Sequence, residues 1–179
     1  MNFDLKGELS LKGAILNKGE EFYTFMSRVF YAIQNAQINY NWLITDIEAN
    51  PYDLEIEERL DVNYVWITGE ELTDMIKKED FQWIWAVFSG FPHNIMQEDV
   101  MKYSLPYVQE NNVHWTNPIS IQHPLAEVEI VPWDSSLVVI ISKNDALIET
   151  FMASLRLAMD LEEYNNKFKF PRFITPSSR

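Results

Sequence analysis

Seven carboxylates fall within sixteen residues: Asp46, Glu48, Asp53, Glu55, Glu57, Glu58 and Asp61, against Arg59 alone. Like charges at this density repel one another. Two readings follow: a solvated loop, or a surface shaped for a cationic partner. Acid–base catalysis needs paired carboxylates, and no pair stands out by spacing alone among the 27 Asp and Glu. Glu127 and Glu129 share one face of a predicted strand, expected to be solvated, and Asp46 with Glu48 could do the same.

Other chemistry is sparse. The three histidines, His93, His114 and His123, stand 21 and 9 residues apart, too far for the short ligand spacings of metal sites. No metal or other cofactor is expected, and no catalytic residue is assigned. The five glycines form neither a dinucleotide fingerprint nor a phosphate loop, and no serine sits in a nucleophile elbow. The chain has no cysteine, which excludes disulfides and thiolate chemistry and favours a cytoplasmic home. A second candidate site remains, a small-molecule or enzymatic pocket near Trp83, Trp85, His93 and His114. A third reading is a housekeeping domain with no ligand, expected to associate through an exposed aromatic patch.

The elements that position these residues follow from periodicity. Residues 81–88 are apolar but for Gln82. They read as a central strand with two greasy faces, Phe81, Trp83, Trp85 and Val87 on one and Ile84, Ala86 and Phe88 on the other. Ser89-Gly90-Phe91-Pro92 reads as its terminating turn. Before it, Thr68-Gly69-Glu70-Glu71 is a capping box opening a helix through Lys78, and 62–67 reads as a strand. Phe22, Phe25, Met26, Val29, Phe30 and Ile33 recur at helical period, with Asn17 and Glu20 at capping-box spacing. Further strands are predicted at 3–16 (a short pair), 39–45, 127–131 and 137–141, the last two as a hairpin turning at 132–135. Lys-Gly pairs at Gly7, Gly13 and Gly19 read as turns of an N-terminal meander. Ser142 with Asp145 opens a last long helix, and 91–124 is irregular, with a short helix at 97–103.

These elements predict an α+β fold: a central mixed or antiparallel sheet packed by two or three helices, one domain over 1–166. The segment 167–179, with Lys167, Lys169, Arg172 and Arg179, is a basic tail. A 179-residue chain that is 47% hydrophobic can build such a core. The start, Met1-Asn2-Phe3-Asp4-Leu5-Lys6, lacks the pattern of a secretory leader, and no apolar run reaches the ~18 residues of a membrane span. Net charge is −13, and 29–166 holds 23 acids against six bases. Such a field repels nucleic acid and anionic membrane and attracts a basic protein. The same charge also keeps an aromatic-rich chain soluble.

At Glu127-Val128-Glu129-Ile130-Val131-Pro132-Trp133-Asp134-Ser135-Ser136, at Val138-Val139-Ile140-Ile141-Ser142, and at Asp160-Leu161-Glu162-Glu163-Tyr164-Asn165, the chain resembles small acidic bacterial proteins of two kinds. These are uncharacterised families of Bacillus-type bacteria and immunity proteins that accompany polymorphic toxins. The resemblance covers about 40 residues at the C-terminal end. Residues 66–92, a strand, a Gly-Glu-Glu-Leu helix and an aromatic strand, share the style. The resemblance brings no catalytic motif. It implies a non-enzymatic cytosolic protein that binds one cognate partner. The expected function is therefore neutralisation of a basic, nuclease-type toxin through the acidic segment, by a monomer or homodimer.

Overall fold

A computed structural model describes residues 11–168. Seven strands form one sheet: β1 (Lys12–Leu16), β2 (Tyr40–Ala49), β3 (Tyr64–Thr68), β4 (Trp83–Pro92), β5 (Val128–Trp133), β6 (Leu137–Ser142) and β7 (Met159–Asp160). Their order is β3-β2-β4-β5-β6-β1-β7, and every neighbouring pair is antiparallel. Six short helices accompany them: α1 (Met26–Ala32), α2 (Leu54–Leu60), α3 (Gly69–Lys78), α4 (Gln97–Val100), α5 (Asp145–Ser154) and α6 (Leu161–Lys167). The class is α+β, as predicted, with more helices than expected. Because β2 lies between β3 and β4 and opposes both, β3 and β4 run in the same direction, joined by α3. Phe3, Leu5, Leu9, Gly7 and the tail beyond 168 lie outside the described residues. Gly13, predicted in a turn, sits inside β1, and Gly19 occupies a left-handed turn at φ 88.

The two faces of the sheet are covered differently. One carries Leu16, Trp42, Ile44, Val65, Ile67, Trp83, Phe88, Ile130 and Ile140, and it packs on α1, α2, α3 and α5 through Val29, Ile56, Leu72 and Phe151. The other carries Ile15, Val87, Val131, Trp133, Val139 and Ile141. It packs on Val108, Trp115 and Ile119 of the long irregular segment and on Leu161 and Tyr164 of α6. The segment predicted as irregular is thus a strap over half the sheet. Its helix is shorter than expected, ending at Val100.

β4 begins and ends later than predicted. Ser89, Gly90, Phe91 and Pro92 remain in the strand because β2 pairs with all four, and β5 with Ser89 and Gly90. Gly90 is required there by crowding: a Cβ would stand 2.6 Å from Val128 Cγ1 and 3.1 Å from the Trp42 ring. The predicted alternation also breaks. Trp83, Ala86 and Phe88 face the helices, while Trp85 and Val87 face the strap. The register against β2 shifts between Thr45 and Glu48 and again between Glu48 and Ala49, and an extra residue reverses the faces beyond it.

The predicted 22–33 helix is cut short at both ends. Asn17 does not cap it; its Nδ2 donates to the Tyr164 hydroxyl at 3.3 Å. Phe25 bridges to Gln82 of the sheet, so the chain becomes helical only at Met26 and leaves Phe22 exposed. Gln34 and Asn35 then take left-handed conformations at φ 54 and 59, which ends the helix. α3 forms as predicted. The Thr68 hydroxyl accepts from Glu71 N, and the Glu71 carboxylate accepts from Thr68 N. At α5 the cap is Asn144, whose Oδ1 accepts from Ala146 N; Ser142 stays in β6. The β5–β6 hairpin forms, but Pro132 and Trp133 belong to β5. Asp134 and Ser135, at φ 49 and 52, make the turn.

Candidate interaction groove

The acidic stretch is not a loop. Asp46 and Glu48 end β2, and residues 54–60 form α2. Asp53 caps α2, its Oδ1 accepting from Glu55 N at 3.0 Å and Ile56 N at 3.1 Å. Three sets of residues at helical spacing then look in three directions. Ile56 and Leu60 are buried. Glu55 and Arg59 turn toward α3, in a cleft of ≈ 280 Å³ where Arg59 meets Glu71 at 3.8 Å and Lys78 meets Glu55 at 2.7 Å. Leu54, Glu57, Glu58 and Asp61, at i, i+3, i+4 and i+7, face the end of β2.

Between that face and β2 lies a groove of ≈ 500 Å³ lined by Ile47, Glu48, Ala49, Pro51, Leu54, Glu57, Glu58, Leu60 and Asp61. Its described lining holds four of the seven predicted carboxylates and no Lys or Arg. Its apolar members include Leu54, which is 76% exposed. Carboxylates around exposed apolar side chains match the polar rim and apolar centre of protein interfaces. A cation brought there would relieve the mutual repulsion of the four charges.

The other three predicted residues have structural work. Asp46 adopts φ 50, a left-handed conformation Asp tolerates. Its Oδ2 accepts from Val108 N at 2.7 Å and Gln109 N at 2.8 Å, pinning the strap to β2. Asp53 also pairs with Lys78 at 2.8 Å. The Lys78 ammonium, then the amide of Ile56, hold the Asp53 carboxyl below its ordinary range. Glu55 shares Lys78. Sequence reasoning missed the groove's apolar members, Ile47, Ala49 and Leu54. The signal was the spacing of Leu54 with Glu57, Glu58 and Asp61.

The four residues of the second candidate pocket do not converge. Trp83 is buried on the helix-covered face. Trp85 lies on the strap side, edge-on to Trp133 at 5.0 Å. His93 is exposed, with Nδ1 3.3 Å from Asn41 Oδ1. His114 is fully buried against Glu129, Nε2 to Oε1 2.7 Å, both at 0% exposure. Glu129 Oε2 also accepts from Gln122 N at 3.1 Å, and the His114 carbonyl accepts from Asn165 Nδ2 at 3.0 Å. Glu129 was expected on a solvated strand face. β5 is instead buried on both sides, because the strap closes over it. Its same-face neighbours Val131 and Trp133 were the sequence signal for that. His123 is buried too; its Nε2 donates to the Val100 carbonyl and its Nδ1 accepts from Leu125 N. Burial pushes the His123 pKa down.

Among the described residues, no three His, Asp or Glu side chains are grouped to hold a metal ion, and no helix is long and apolar enough to cross a membrane. Comparison with family models, curated proteins and solved structures finds no match to this chain.

Proposed function

We propose that the chain is a non-enzymatic interaction protein of the immunity or antitoxin kind, which neutralises a basic, nuclease-type protein by docking it in the acidic groove. One observation carries this reading: Glu48, Glu57, Glu58 and Asp61 converge around exposed Leu54 with no cation among the described lining residues. A nuclease surface that receives phosphates presents Lys and Arg, and carboxylates occupy the same positions. The net charge of −13 steers the encounter, and the apolar centre slows dissociation. In this reading the protein acts in the cytoplasm, as a monomer or homodimer.

The test removes the groove charges and keeps side-chain size, with Glu48→Gln, Glu57→Gln, Glu58→Gln and Asp61→Asn combined. A control variant removes the same charge from the exposed Glu70, Glu98, Glu110 and Glu163. The product of the neighbouring gene is the bait. Wild type and control should capture it, with the control's on-rate falling only through net charge. The groove variant should lose capture, with affinity reduced by roughly tenfold or more. Equal capture by groove variant and control overturns the proposal.

A further inference from the structure

We propose that the groove receives its partner as an extended basic segment that pairs with an open flank of β2, a reading that rests on the groove as the docking site. β2 and β3 differ in length. The last residue pair between them is Thr45↔Tyr64. β2 continues past it, held on its other side by β4 through Glu48↔Trp85 and Ala49↔Trp83. Ile47, Glu48 and Ala49 are therefore kept extended by one neighbour and, among the described residues, have no strand on the other flank. No hydrogen bond outside the sheet ladders reaches these three residues among those described. The same three residues form one wall of the groove, and α2 forms the wall opposite.

A position beside a strand, in line with a strand that stops short, is where an added strand pairs. Asp46 explains why β3 does not fill it. Its left-handed backbone and its bonds to the strap interrupt the ladder, and the chain turns away at Asn50-Pro51 into α2. Three residues of flank offer about 10 Å of pairing, enough for a short segment. An extended occupant sends alternate side chains to opposite sides. Here it meets apolar Ile47, Ala49, Leu54 and Leu60 and the carboxylates of Glu48, Glu57, Glu58 and Asp61. The complementary sequence alternates Lys or Arg with β-branched residues. A second copy of this chain is the wrong occupant, since its own four groove carboxylates would meet these.

The probe is the capped peptide acetyl-Lys-Val-Lys-Val-Lys-Val-Lys-amide, titrated into the full chain at low ionic strength. Two analogues carry N-methyl groups, one on the Val amides and one on the Lys amides, so each loses the donors of a single edge. Strand pairing predicts that one analogue binds at least about tenfold more weakly and the other binds like the parent. It also predicts slowed amide exchange at the flank residues among Ile47, Glu48 and Ala49. If all three peptides bind wild type alike and none binds the groove variant, the pairing is overturned and the groove stands as a charge-matched site. If no peptide binds, the pairing is overturned as well. The fate of the groove itself is read separately, from the partner-capture comparison.

Discussion

Leucine in place of Glu129 breaks the one acid–histidine contact among the described residues whose two side chains are both fully buried. Glu129→Leu removes the acceptor of His114 Nε2 and of Gln122 N. Each donor stranded in the interior costs about 1–3 kcal/mol, so two cost about 2–6 kcal/mol in all. His114→Leu takes the partner of Glu129 Oε1 and leaves that buried carboxyl group with Gln122 N alone, also a loss of at least about 1–3 kcal/mol. Against a total stability of about 5–15 kcal/mol, either change is severe. The double variant leaves only Gln122 N unsatisfied, a loss of about 1–3 kcal/mol. The double should therefore be more stable than either single, the reverse of additivity. Urea denaturation of the four proteins closes the cycle. Trp115, next to His114 in the chain, and Trp133, whose rings lie 4.7 Å apart, supply a fluorescence signal. Single losses under about 0.5 kcal/mol, or losses that simply add, would refute the coupling and with it the account of how the strap is held down.

Other substitutions separate structural carboxylates from groove carboxylates. Asp46→Ala should lose about 2–3 kcal/mol, since a charged acceptor of two backbone amides disappears, whereas Glu58→Ala should stay within about 0.5 kcal/mol; equal denaturation midpoints would contradict this division. Thr68→Ala should cost about 1 kcal/mol through loss of the cap on α3, and by NMR should raise the Glu71 titration only in part, because the Thr68 hydroxyl donor is lost while the backbone N–H, the larger cause of its lowered pKa, remains. For His123 the folded pKa lies below 6.5, with burial as the main cause and the Val100 carbonyl, Glu129 and Lys143 as smaller influences. The fold favours the neutral ring, so its contribution is intact above pH 6.5 and declines as pH falls through that value toward the folded pKa. His123→Gln should flatten the loss of stability that sets in below pH 6.5, and an NMR midpoint at or above 6.5 would refute the assignment.

What the sequence determined is what neighbours within one helical turn or one hairpin decide. The capping box of α3 needs only Thr68 and Glu71, three residues apart, and it formed as predicted. The Asp134-Ser135 turn and the β5–β6 pairing are equally local. The face of Leu54, Glu57, Glu58 and Asp61 is written in their spacing, although the sequence alone does not say that it borders β2.

Tertiary structure decided the rest, because burial and pairing depend on residues far along the chain. The apolar same-face neighbours Val131 and Trp133 mark the face of Glu129 as apolar, but nothing local supplies its buried partners. Glu129 is buried because His114 and Gln122 arrive on a strap that closes over β5. The helix predicted from Phe22 loses its first turn to a bridge with Gln82, a contact no local pattern encodes. The seven carboxylates look alike in sequence. The fold gives Asp46 to the strap and Asp53 and Glu55 to Lys78, and gathers the other four in one groove with no cation among its described lining. Which charges are used within the fold is set by where distant cations and amides come to rest.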